Sequence, residues 1–215
     1  MFFILNVYFL MVIFMKKLSY LYLGILTSTL LTSSLSAMDE ERMNPRTVVT
    51  VQKQDDLVSI LLLNNTPLQV NLCNVKLSEL DLFPLAEVPQ VSVKLEDCQI
   101  DGDSFLKLTQ IKSIIALETS SMALDHWHIQ QIAQNMGQLE RLSLSRALPK
   151  EADDAVNILA KSNLGNLKSL DVSWNSIKNK GVRALIDGNL KELTFLNLDQ
   201  NILAESPDFC QVLEG

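Results

Sequence analysis

The chain has 215 residues, 47% of them hydrophobic, with only seven glycines and six prolines, the composition of a folded domain and not of a disordered segment. Its 25 acidic residues outnumber 18 basic ones, for a formal charge of −7. A phosphate-backbone binder needs a basic stripe, so nucleic acid is not an expected partner.

Residues 1–37 contain no Asp or Glu and two bases, Lys16 and Lys17, so most of the positive mean hydropathy lies here. From Met15 the order is Met-Lys-Lys, then a mostly apolar run from Leu18 to Leu31, then Ser33, Ser34, Ser36 and Ala37. The charged stretch Asp39-Glu40-Glu41-Arg42 follows. These are the positive start, apolar centre and small-residue cleavage zone of a secretory signal peptide. The pattern predicts translation from Met15, cleavage after Ala37 despite an imperfect Leu35 at the third position before it, and export to a periplasmic or extracellular space. Residues 1–14 precede the lysines and fit no signal start. The alternative is an uncleaved anchor over residues 1–32. A membrane span takes about 20 apolar residues, and Lys16 and Lys17 divide the two runs. Membrane contact is expected only in that second reading.

Residues 38–64 read as a linker and a capping β-α unit, with a strand at 46–52 and an apolar helix at 55–64. Residues 65–215 carry an internal repeat, which is the feature to seek before any local assignment. Leu193, Leu196, Leu198, Asn201 and Leu203 fall at relative positions 1, 4, 6, 9 and 11. Twenty-six residues earlier, Leu167, Leu170, Val172, Asn175 and Ile177 repeat those offsets. Leu139, Leu142 and Leu144 keep the first three, with Ala147 in the ninth position and Pro149 in the eleventh. Ile115, Leu117, Ser120 and Met122 read as a weaker copy, with Lys112 in the first position. Val93, Leu95, Cys98 and Ile100 form another, as do Leu68, Val70, Cys73 and Val75. About six coils are expected. Residues 205–215 read either as a covering helix or as the point where a longer solenoid is cut short.

The tandem L-x-x-L-x-L-x-x-N-x-L copies resemble the leucine-rich-repeat family. The 25–28-residue period and the tract Asn175-Ser-Ile177-x-x-x-Gly181-x-x-x-Leu185 look like its ribonuclease-inhibitor-like or cysteine-containing subclass, in a bacterial exported protein. The resemblance implies an α/β solenoid, with short parallel strands on a concave face and helices on the convex one. Segments 101–110, 125–136, 150–161 and 179–188 have the length and apolar spacing for those helices, with Asp101 or Asp103 capping the first. The resemblance also makes Asn175, Asn201, Cys73 and Cys98 inward-facing turn residues that pair backbone groups otherwise bare in the core. Cys73 and Cys98 would then be neighbouring buried thiols, with a disulfide as the alternative.

Catalytic chemistry finds little footing. No G-x-S-x-G, P-loop, H-E-x-x-H or C-x-x-C motif occurs. Asp125-His126-Trp127-His128 is the only histidine cluster. Two residues apart, His126 and His128 would lie on different faces of a helix, so the stretch reads as a capped helix start with Trp127 or Ile129 packing. Neither a metal nor a cofactor is expected, and the protein reads as no enzyme; a fragment that has lost a catalytic domain is the alternative. Positions between the inward leucines point out of the sheet: Phe195, Asn197, Asp199 and Gln200, then Ser169, Asp171, Ser173 and Trp174. Upstream stand Arg141, Ser143, Ser145 and Arg146, then Glu118 and Thr119, then Lys94, Glu96 and Asp97. Aromatics and Arg dominate protein interfaces. Trp174, Phe195, Asp171, Arg141, Asn197 and Asp199 are therefore the candidates for binding a protein partner.

Overall fold

A computed structural model describes residues 47–60 and 67–203. The segment read as signal or anchor lies outside them, as do residues 61–66, Cys210 and the C-terminal stretch 204–215. Seven strands form one sheet in sequence order: β1 (Thr47–Val51), β2 (Leu68–Cys73), β3 (Val91–Glu96), β4 (Ile114–Ser120), β5 (Arg141–Ser143), β6 (Ser169–Asp171) and β7 (Phe195–Asn197). Every neighbouring pair is parallel. Between strands the chain returns through α1 (Gln54–Ser59), α2 (Phe83–Ala86), α3 (Gly102–Gln110), α4 (His126–Asn135), α5 (Ala152–Ala160) and α6 (Asn179–Ile186). Parallel neighbours require such crossovers. The described residues thus form an α/β solenoid of the leucine-rich-repeat type, one strand per coil.

Alternation of side chains along each strand places the core. In β2, Leu68, Val70 and Leu72 are buried while Gln69, Asn71 and Cys73 are half-exposed. Val70, Val93, Leu117, Leu142 and Leu170 stand abreast and are all buried, so each coil shields the next. One coil alone would leave this edge wet. Phe105, Leu108, Ile129, Ile132, Val156 and Leu159 close the core from the helical side. Burying each such side chain contributes roughly 1.5–3 kcal/mol before entropy is counted.

The register corrects two of the upstream copies. Leu72 stands abreast of Leu95, which puts Val75, and not Cys73, level with Cys98. Cys73 pairs with Glu96 inside the sheet. In the fourth coil Leu117 and Thr119 stand abreast of Val93 and Leu95, so the inward set is Leu117, Thr119, Met122 and Leu124, two residues later than the sequence reading. A slip of two preserves every side chain's face, so alternation cannot detect it. Thr119 consequently turns inward, fully buried, with Oγ1 donating to the Ser143 carbonyl at 3.5 Å.

The coils of β2 to β7 each leave the strand through one residue with positive φ: Asn74, Asp97, Ser121, Arg146, Trp174 and Gln200, all between 51° and 59°. They occupy the eighth position of six successive coils, and none is glycine. The ninth-position residue then turns inward. Asn175 Nδ2 donates to the carbonyls of Leu144, Val172 and Ser173 at 2.9–3.0 Å, and its Oδ1 accepts the Leu148 amide. Asn201 does the same toward Val172, Leu198 and Ile177. Cys98 substitutes a thiol, donating to the Leu72 carbonyl at 3.0 Å, the counterpart of the Asn175–Leu144 bond.

The helix starts are built locally and across coils. Asp101 accepts the Ser104 amide and Asp125 the His128 amide, each at 3.0 Å, capping α3 and α4. The amides at the start of α6 are taken by Asp153 of α5, which accepts from Lys178 at 2.8 Å and Gly181 at 3.0 Å. A Cβ on Gly181 would lie 2.5 Å from Asp153 Oδ1 and 2.8 Å from Ile177, so only glycine permits this contact.

Candidate functional site

The open face of the sheet, opposite the helices, holds a groove of about 370 Å3. Its floor is made of small side chains, Ser92, Ala116, Ser143 and Ser169. Lys94, Glu118, Arg141, Asp171 and Phe195 rise around it. These belong to the third and fifth positions of successive coils, the two that point away from the core within the strand. Each of the third to sixth coils sets one small outward residue beside a larger one, and the small ones leave the space of the groove.

The polar groups are largely fixed. Lys94 Nζ lies 3.2 Å from Glu118 and 3.9 Å from Glu96. Burial alone would pull this ammonium's pKa down, but the two carboxylates outweigh it and hold it above the ordinary lysine range. Arg141 is half-buried, and loss of water around its guanidinium lowers its pKa against the opposing pull of Glu140. Arginine stays charged regardless. Asp171 Oδ1 accepts the Ser173 amide at 2.9 Å, which fixes that carboxylate at the groove's edge.

Of the residues singled out from sequence, Arg141, Asp171 and Phe195 meet in the groove. Phe195 is 48% exposed there. Trp174 is not a groove residue. It sits at the eighth-position turn, 51% exposed, with the Arg146 guanidinium 4.3 Å above its ring and its amide bonded to the Asp199 carbonyl. Asn197 and Asp199 form their own turn, Asn197 Oδ1 accepting the Asp199 amide at 3.0 Å, and neither lines the groove. Ser173, expected on the open face, is buried with its hydroxyl 3.1 Å from that of Ser145. Lys94, Glu118 and Ser143 line the groove without having been singled out, although their column position was the available signal.

Cys73 and Cys98 are free thiols. Burial, then the Glu96 carboxylate, pushes the Cys73 thiol above its usual range. Burial does the same to Cys98, overcoming hydrogen bonds that favour the thiolate. A nucleophilic cysteine needs the opposite shift. His128 Nδ1 lies 2.6 Å from Asp125 Oδ1, and its ring stands edge-on to Phe105 at 4.8 Å between centroids. Among the described residues no three His, Cys, Asp or Glu side chains converge as a metal-ion set, and no helix is long and apolar enough to cross a membrane.

No protein-family profile matches the sequence, and neither does any curated protein. Among solved structures the chain is similar to an internalin from Listeria monocytogenes, at 20% identity and a TM-score of 0.36. The match covers 67% of this chain and 45% of the internalin, so the chain spans less than half the length of that protein.

Proposed function

We propose that the protein is an exported, non-enzymatic interaction module that binds a protein partner in the groove on the open face of its sheet. The observation that carries the reading is the meeting of Arg141, Asp171 and Phe195 around a floor of small residues. An exposed aromatic ring beside a half-buried arginine is the composition of an interface centre. Trp174 and Arg146, stacked at the adjacent turn, extend the surface at its rim. Asn197 and Asp199 lie beyond the groove and belong to that rim. The raised thiol pKa values and the lack of catalytic motifs favour binding over catalysis. The subclass reading is supported at one position, where the Cys98 thiol makes the bond that Asn175 makes three coils later.

Alanine at both Arg141 and Phe195 tests the surface. The double variant should retain its fold by circular dichroism and lose at least about thirtyfold in affinity for a protein captured by the wild-type chain. Unchanged affinity in a folded double variant rejects the groove. Export rests on the Met15-Lys16-Lys17 start and the small residues ending at Ala37. N-terminal sequencing of the mature protein should read from Met38; an intact N-terminus instead supports the envelope-tethered form.

A further inference from the structure

Equivalent positions stay buried from coil to coil until the last one. Val70, Val93, Leu117, Leu142 and Leu170 stand abreast and are buried, whereas Leu196, next in that row, is 37% exposed. The helices show the same break. Eight residues after the helix-starting residues Asp101, Asp125, Glu151 and Lys178 stand Thr109, Ala133, Leu159 and Ile186. The first three are buried, and Ile186 is 46% exposed. Each of those three sits on a helix with another helix after it, while among the described residues none follows α6. Ile202, in the turn after β7, is exposed as well. Stacking is what buries the edge of a coil, so this apolar end needs a cover.

The sequence directly after it has the pattern of one. Glu205 follows Lys178 by 27 residues, the interval that separates Lys178 from Glu151. In α3 the fourth, seventh and eighth residues after the cap are Phe105, Leu108 and Thr109; in α4 they are Ile129, Ile132 and Ala133. All six are buried. Counted from Glu205, the same places hold Phe209, Val212 and Leu213, all apolar. Pro207 falls in the first turn, where its missing N–H is no loss, as Pro84 does in α2. Asp208 beside it suits the positive end of a helix.

We propose that residues 206–213 form the helix of the seventh coil, lying against α6 over Ile186 with Phe209 and Val212 turned toward Leu196 and Leu198. Its eight residues equal the length of α6. Phe209 takes the place in its coil that Phe105 fills in α3. The apolar end is closed by the chain itself and not by a second copy of it.

Hydrogen–deuterium exchange of the full-length chain, read by mass spectrometry, tests this. The amides of residues 209–213 should exchange at least about tenfold more slowly than in a free peptide of the same sequence, a factor that burial of one large apolar side chain supports. Phe209→Asp should remove that protection, and Gln211→Asp, on the outer face of the helix, should keep it. Ile186→Gln tests the contact from the other side. Its side chain is exposed among the described residues, so the change reaches residues 209–213 through the proposed packing, and protection there should fall. This variant and the parent keep the test open if Phe209→Asp does not fold. The proposal is overturned if 209–213 exchange at the free-peptide rate in the parent, if folded Phe209→Asp and Gln211→Asp act alike, or if Ile186→Gln leaves the protection unchanged. A dimer in sedimentation whose dilution removes the protection would overturn it too, by giving the apolar end to a second copy.

Discussion

At the scale of single residues, the ninth position of each coil decides how the turn is paid for in hydrogen bonds. Asn175 serves three carbonyls and one amide, linking its own coil to the preceding one. Cys98 has a single proton to donate and makes one short bond, to Leu72. Val75, Met122 and Ala147, at the ninth position of their coils, have no side-chain donor to offer. Leaving a buried backbone group unpaired costs about 1–3 kcal/mol. Asn175→Ala strips partners from several such groups and should destabilise the protein by about 2–3 kcal/mol. Urea denaturation would read this as a lower midpoint at unchanged slope. A loss below about 0.5 kcal/mol, the range of ordinary surface substitutions, would show that the asparagine ladder is not what holds the turns.

At the scale of elements, legibility followed the side chains that differ most in chemistry. The last two full copies could be placed from sequence because Asn175 and Asn201 mark the turn unambiguously between aliphatic neighbours. The helices at 102–110, 126–135, 152–160 and 179–186 fell within the expected segments, since their apolar spacing is a local signal, as are the aspartate caps of the first two. The upstream strands were recognisable as strands, but their frame was not. In β2 three successive inward residues, Leu68, Val70 and Leu72, admit two frames that differ by one alternation. In β4 the inward Thr119 conceals the true sixth position, and Ile115 imitates the fourth. Contacts between coils were invisible for a different reason. Asp153 capping α6 and the space denied to Gly181 arise only when two coils stack.

At the scale of the molecule, seven parallel strands carry their helices on one side, and among the described residues no helix covers the other side of the sheet. The outward columns there are not uniform. Small outward residues of the third to sixth coils leave a groove among Lys94, Glu118, Arg141, Asp171 and Phe195. Arg141, Asp171 and Phe195 were legible as outward residues, while the groove depends on which small residues stand next to them: Ser92 beside Ala116, and Ser143 between Glu118 and Asp171. That is a property of the register. Trp174, Asn197 and Asp199 lie outside the groove lining. This groove is the proposed surface for the protein partner. Its most direct measurement is site-specific photo-crosslinking in the cells that make the protein, with a benzophenone amino acid at Ser143 in the groove or at Lys107 on α3. Ser143 should yield a discrete protein adduct and Lys107 none. Equal adducts from both positions, or an adduct from Lys107 alone, would contradict the assignment of partner binding to the open face of the sheet.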